Sequence, residues 1–594
     1  MNCKRLLKAG ALIATMAVLS FSDVFITEIN YNPLSLDTIN GDNFEFIELF
    51  NPGTTPVSMG GMAITNGVTY SFPANTSLGA GQYIVLAYNK DMFKQRYGVE
   101  PFGVFTGHLD NKGEKITLKD TVNNLTVFSV DYKTDIPWPI SADGAGFTLV
   151  KANSNSNDPD SAAWWRASSK IGGSPGAVDP DPKNISPIYI NEVLSNTDDP
   201  HLYDAIELFN PNDGAVDISG WYLTDDKKVP RKFKIPSGTN IPSKGYTYFT
   251  EQDFDKDSTN PNSFSLNTHG DGAYIFSADN NDSLSGFSHG FDYGEIENGI
   301  SFGRVVDNSG REHFVPMKEL TLGNKNSDPI VGPLVITEIC YNANNGTDYI
   351  AIKNITDKTI SPFDPDRPFN AWRINGIGFY FPKNVTVGAG ETVLISSDTI
   401  TEALFRQIYS VPASVKMFTY PSNLSGKGEK VSIEKPCDPY WDKNIDSVDS
   451  IIPYMLVDEI KFDNSSPWPV CNLGMAISRK NPLVFGNDPS AWVAKVASPG
   501  TISSIFSRKA GISTLNHVNW SFKNNSFQLV LSRNSNVKLS LYDIGGRSVF
   551  SYASFLRSGA NSIPCNIESR AAGTYVLKIQ TDSDQMQIKF PNYK

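Results

Sequence analysis

Through most of the chain, apolar and polar residues alternate with a period of two over short runs closed by Gly, Pro, Asn or Asp, as in VFITEIN from Val24, EFIELF from Glu45 and EKITLKD from Glu114. A period of two sends successive side chains to opposite faces, so these runs predict short antiparallel strands of a β-sandwich. The pattern then repeats. VFITEINYNP (from Val24), IYINEVLSN (from Ile188) and LVITEICYN (from Leu334) open three segments, followed by EFIELFNP (from Glu45), DAIELFNP (from Asp204) and DYIAIKNI (from Asp348). Later landmarks keep one order: the runs from Phe72, Ile235 and Phe381, then NKGEKITLKD (from Asn111), HGDGAYIFSAD (from His269) and GKGEKVSIEK (from Gly426). A repeat of roughly 150 residues marks tandem whole domains rather than a solenoid. We read domains at 23–178, 186–327 and 333–502, with a small β domain at 519–594. The proline-dense joints Ser174 to Pro187 and Asn324 to Pro333 read as semi-rigid spacers.

The motif order ITEINYNP, EFIELFNP, FP with a later GAGQYIVL, NKGEKITLKD, PWP with a later GFTL, and AWWRAS ending in SPG resembles bacterial lamin-tail domains, from Val24 to about Thr501. The second copy lacks PWP and carries HFVPM (from His313) where the others have tryptophan. The resemblance implies immunoglobulin-like sandwiches without catalytic residues, in an accessory or interaction role. The final segment, with VKLSLYDIGGRSVF (from Val537), SGANSIP (from Ser558) and AAGTYVLKIQ (from Ala571), resembles C-terminal sorting domains of the type IX secretion pathway, although its ending QIKFPNYK departs from their usual basic-apolar finish. The fold class expected is all-β: tandem lamin-tail-type sandwiches plus a small C-terminal one.

The N-terminus reads as a signal peptide over 1–22. Lys4, Arg5 and Lys8 precede the apolar run Ala9 to Leu19, and Ser20 and Ser22 flank a cut before Asp23. That run is too short to span a bilayer, and no second long apolar stretch follows. The expected location is therefore secreted or attached to the outer surface. A formal charge of −12 with no later basic cluster excludes nucleic acid as a partner. The partners expected are the secretion machinery, through the C-terminal domain, and an extracellular protein or polysaccharide.

The carboxylates Glu28 and Glu48 fall on adjacent strands, and Glu192 and Glu207 repeat them. A paired acid can serve proton transfer or hold a cation. The third copy keeps Glu338 but places Ala351 at the second position, with Lys353 nearby, so a catalytic pair is not shared by the copies and structural hydrogen bonding is the better reading. His108, His201, His269, His289, His313 and His517 are scattered, and no GxSxG, HExxH, Walker or EF-hand motif occurs. HGDG at His269 coincides with the NKGEK and GKGEK turns and reads as a turn. No catalytic residue, cofactor or protein-held metal is assigned; DPDPKN and DPDRP contain acids without the spacing of a Ca²⁺ loop, and a loop-bound Ca²⁺ is the one ion kept in view. Trp138 with Trp468, and Trp164 or Trp165 with Trp492, recur at scaffold positions and read as core. Trp372 and Trp441 stand in segments special to the third copy and are the candidate surface contacts for a sugar. Cys437 and Cys471 are the candidate disulfide. The expected function is a non-catalytic, exported interaction or adhesion scaffold. The alternatives are a carbohydrate-binding accessory protein and an extracellular hydrolase with an unrecognised site.

Overall fold

The computed structural model describes residues 24–499 and 518–592, apart from 37, 155, 258, 345–346, 441–450, 524–525, 532, 544–546, 566–572 and 583–584. The proposed signal peptide lies outside the described residues. The chain forms two compact units, residues 1–502 and 503–594. It is nearly all β, as the alternation predicts.

The first unit contains three two-sheet bodies that share one strand order. In the first, a six-stranded sheet runs Trp165–Ala167, Leu149–Lys151, Phe25–Asn30, Phe46–Phe50, Tyr83–Ala87, Gly103–Val104, facing a four-stranded sheet of Leu125–Asp131, Lys115–Asp120, Met62–Asn66 and Tyr70–Ser71. The bodies built around Tyr189–Leu194 and Leu334–Asn342 repeat this order, the second without the parallel edge strand. Each encloses its own apolar core. Ile26, Ile29, Ile47 and Leu49 in the first correspond to Ile190, Val193, Ile206 and Leu208 in the second and Ile336, Ile339, Ile350 and Ile352 in the third.

Periodicity predicts no helix, yet one follows the same strand in each body: Lys90–Tyr97, Glu251–Phe254 and Glu402–Tyr409. Each buries one phenylalanine, Phe93, Phe254 or Phe405. The first is capped by Asn89, whose side chain accepts from Asp91 and Met92 N–H, and stops at Gly98 with φ +74°.

The joints are not spacers. Asp179 ties the first one back onto its own body, accepting from Arg166 at 2.7 Å, from Ser169 N–H at 2.9 Å and from Ser174 Oγ at 3.0 Å. The first and second bodies share a buried apolar seam of Ile140, Ala145, Phe147, Tyr222, Tyr274, Phe276 and Leu284. The second and third meet where the His269 ring stacks on Tyr440 at 3.7 Å and Asn308 donates to Asp488 and Ser490.

The C-terminal unit packs a three-stranded sheet, Val518–Lys523, Ser526–Leu531 and Gly559–Pro564, with a four-stranded sheet, Ser548–Leu556, Ser535–Asp543, Gly573–Gln580 and Gln585–Asn592. Phe527, Leu529, Leu539, Leu541, Leu577 and Ile579 close its core.

Candidate functional site

The paired carboxylates are the strongest candidates for chemistry, and register explains how they meet. Phe25–Asn30 pairs antiparallel with Phe46–Phe50, setting Glu28 opposite Glu48; the next body sets Glu192 opposite Glu207, and the third sets Glu338 opposite Ala351. A register shift precedes the first acid each time, between Ile26 and Glu28, Ile190 and Glu192, and Ile336 and Glu338. Such a bulge re-aims the side chain that follows it.

All five acids grip the loop that closes their own body. Glu28 accepts from Thr148 Oγ1 at 2.6 Å and from Ser174 N–H at 3.1 and 3.3 Å, while Glu48 accepts from Thr27 Oγ1 at 2.8 Å and Gly176 N–H at 2.7 Å. Glu192 accepts from Ser301 Oγ at 2.6 Å, Thr321 N–H at 3.1 Å and Thr321 Oγ1 at 2.8 Å; Glu207 accepts from Asn191 at 2.7 Å and from Gly323 N–H. In the third body Glu338 accepts from Ser498 N–H at 2.9 Å, and the Tyr349 hydroxyl supplies the donor that the missing second acid leaves room for. Burial pushes Glu48 and Glu207 up to about 7, and burial with the neighbouring Glu48 raises Glu28 well above the carboxylate range. Raised carboxyl pKa values often mark catalysis. Here the acids are covered by the loops they hold and carry the hydrogen bonds of a fold.

A second device recurs beside them and escaped the sequence reading, although Asn51, Asn210 and Asn354 stand next to last in the quoted runs. The Asn51 amide donates to Thr55, Leu78 and Gly79 carbonyls; Asn210 donates to Gly214, Ile241 and Pro242; Asn354 donates to Lys358, Val387 and Gly388, all at 2.7–3.1 Å. One buried amide thus satisfies three carbonyls from two loops in every body.

Two expectations need correction. Trp372 is not a surface contact: it is 6% exposed and belongs to the core of the third body. It occupies the strand position of Trp221 and Met62, since Phe381, Ile235 and Phe72 N–H groups donate to these three carbonyls in turn. Trp441 lies outside the described residues. Cys437 and Cys471 do not pair. Cys437 follows the Pro436 end of the nine-residue strand Gly428–Pro436, whereas Cys471 lies by Tyr341, which stacks on Phe462 at the Gly428 end. The two thiols are separated by about 20 Å or more at ~3.3 Å per residue, and a disulfide needs Cα atoms within about 7 Å.

The other tryptophans behave as scaffold. Trp165 donates to Pro159 O at 2.8 Å and Trp492 to Gly486 O at 2.7 Å, which identifies Trp165 as the partner of Trp492; Trp138 and Trp468 are buried. The side chain of Trp520 and all of His517 lie outside the described residues. His289 accepts from Ile190 N–H at Nδ1 (3.0 Å) and so turns its Nε2–H to Glu312, which also binds Arg304; burial works to raise Glu312, but these two donors hold it at about 2. In the third body the same role falls to Asp458, which accepts from Ile336 N–H and buried Arg479, both at 2.8 Å. His269 closes a turn, as expected from HGDG. Of the acids in DPDPKN and DPDRP, Asp179 is engaged by protein as above and Asp364 by Arg367 at 3.1 Å.

These features define a class: tandem β-sandwiches whose buried acids and amides staple their own loops. Residues 18–134 and 181–290 match the Lamin Tail Domain family, and residues 523–590 match the Secretion system C-terminal sorting domain. The chain therefore carries lamin-tail segments of immunoglobulin-like fold and a type IX sorting domain, and it is a secreted protein placed at the surface or outside the cell. The matched domains are of non-catalytic kinds, and no helix among the described residues is long and apolar enough to cross a membrane. No curated protein matches the chain. Among solved structures it is similar to a DUF4876 family protein from Bacteroides thetaiotaomicron, 13% identical over 38% of this chain and 84% of that one with a TM-score of 0.19. It is also similar to the BSP domain of a biofilm associated protein (10% identical, 99% of each chain, TM-score 0.14) and to dimeric latent PorU from Porphyromonas gingivalis (12%, 70% of this chain, 34% of that one, TM-score 0.11). Scores this low carry no functional argument.

Proposed function

We propose that the protein is a non-catalytic scaffold of the cell surface or extracellular space, made of three lamin-tail-like modules and delivered by its C-terminal sorting domain. The signal peptide at 1–22 would take the chain across the inner membrane first. The third module, residues 333–502, is included because it repeats the strand order, the bulged first-strand glutamate and the three-carbonyl asparagine of the other two. The observation that carries the non-catalytic reading is the use of Glu28, Glu48, Glu192, Glu207 and Glu338 as acceptors for their own closing loops. An acid buried under the loop it holds is poorly placed to exchange a proton with a substrate. Its partner is an extracellular protein or polysaccharide, bound through module surfaces rather than a deep cleft. The mature protein screened against glycans, extracellular polymers and surface proteins should bind saturably and leave its ligand intact. Turnover of any ligand, lost on substituting one of these glutamates, would overturn the reading.

A further inference from the structure

One buried oxygen in the first body has no use in the fold. Glu45, the residue before the strand Phe46–Phe50, is 0% exposed. Its Oε2 accepts from Leu109 N–H at 3.0 Å, pinning the turn that leads into NKGEK. Its Oε1 has no hydrogen-bond partner and faces His108 Nδ1 at 3.4 Å. The third body shows what the fold alone requires. There Asp348 holds the same register position, one methylene shorter, and accepts from Leu424 N–H at 3.0 Å and from the Ala343 backbone. Loop pinning explains Oε2 of Glu45 and leaves Oε1 unexplained.

Asp42 completes the setting. Single ligand atoms of Asp42, Glu45 and His108 all lie within 4.8 Å of one another. Asp42 sits in the 3-10 turn Gly41–Phe44, where Asn40 caps it by accepting from Asp42 N–H and donating to Oδ2, both at 3.1 Å, so Oδ1 remains available. The turn is seated tightly, since a Cβ on Gly41 would fall 1.9 Å from Pro33 O. The imidazole of His108 lies against the Tyr88 ring at 4.0 Å, and half of it is open to solvent. Two carboxylates and an imidazole on stiff supports, one buried oxygen unsatisfied and one side open, form the outline of a metal site with an entry path.

We propose that Asp42, Glu45 and His108 bind a divalent transition-metal ion such as Zn²⁺, joining the loop before Phe46–Phe50 to the loop that carries Leu109. The nitrogen ligand selects against Ca²⁺, which takes six to eight oxygens.

The test is a Zn²⁺ titration of the mature full-length protein by calorimetry, with parallel Ca²⁺ runs. The wild type should take up Zn²⁺ in preference to Ca²⁺, and His108→Ala and Glu45→Gln should each weaken uptake by about tenfold or more. His201→Ala, at an exposed histidine elsewhere, should leave it unchanged. His108 is half-exposed, and the amide oxygen introduced by Glu45→Gln can still accept from Leu109 N–H, so both variants should fold, as a circular dichroism spectrum would verify. No Zn²⁺ uptake by the wild type, uptake unaffected by His108→Ala, or preference for Ca²⁺ would each overturn the proposal.

Discussion

Gly173→Ala isolates the grip of Glu28 on its closing loop. Gly173 has φ +79°, and a Cβ there would lie 1.7 Å from Glu28 Oε1 and 2.7 Å from Thr148 Oγ1. No side chain tolerates such contacts, so the carboxylate must swing away. That breaks the Thr148 bond at 2.6 Å and the Ser174 bonds at 3.1 and 3.3 Å. The left-handed backbone costs alanine about 1–2 kcal/mol, and stranding a buried carboxylate and its donors adds about 1–3 kcal/mol. Gly176→Ala is the internal control: its φ is +86°, but nothing lies within 4 Å of the added methyl, so only the backbone cost applies. The variants should therefore differ by about 2 kcal/mol, or roughly 30-fold in local opening. Hydrogen exchange of peptides spanning residues 168–178 reads this directly, through the Ser174 amide that Glu28 holds. Equal protection in the two variants would refute the clamp, because backbone strain alone would then account for both.

Three further outcomes follow from the same buried polar groups. Arg479→Met removes the fully buried partner of Asp458 and should destabilise the third body by about 3–5 kcal/mol in denaturant unfolding, whereas a loss below about 1 kcal/mol would mean the pair is solvated. Asn210→Ala strands the carbonyls of Gly214, Ile241 and Pro242 and should cost the second body about 2–3 kcal/mol, while Asn212→Ala at the neighbouring position should cost less. Glu48 titrates near 7 when folded, against an ordinary value of 4.5, so the folded state binds more protons between those limits; stability should fall as pH rises from about 4.5 to 7, by up to about 3 kcal/mol, and Glu48→Gln should flatten that slope in melts at pH 5 and pH 8.

The all-β class, the recurring order of strand motifs along the chain and the placing of the paired glutamates on adjacent strands were legible because each is local: a period of two, a turn residue, a recurring motif. What escaped depends on partners distant in the chain. Asn51 reaches Leu78 and Glu45 reaches Leu109, 27 and 64 residues away, and no spacing rule announces either contact. The helix Lys90–Tyr97 went unseen because Phe93 alone among its eight residues is fully buried, too little for an apolar stripe. Trp372 was misassigned because its counterpart in the first body is Met62, so side-chain identity hid a shared position that only backbone hydrogen bonding exposes. The Cys437–Cys471 pairing failed for a related reason: membership of one domain says nothing about which end of a strand a thiol occupies.

The joints carry the largest consequence of this gap between composition and contact. Proline density suggests rods that hold modules apart, and modules held apart gain avidity through effective concentration. The seam between the first two bodies argues otherwise. Phe147 is 0% exposed, Tyr274 and Phe276 are covered beside it, Ser141 Oγ donates to Gly286 O at 2.7 Å, and Lys227 meets Asp143 at 2.6 Å. Parting these bodies would expose several large apolar side chains at ~25 cal/mol per Å² and break the Lys227–Asp143 pair. Proline then serves to turn the chain back with little entropy to lose, rather than to extend it. In the proposed scaffold role, a ligand would meet the first two sandwiches as a joined surface, and its affinity would depend on matching that surface rather than on tether length.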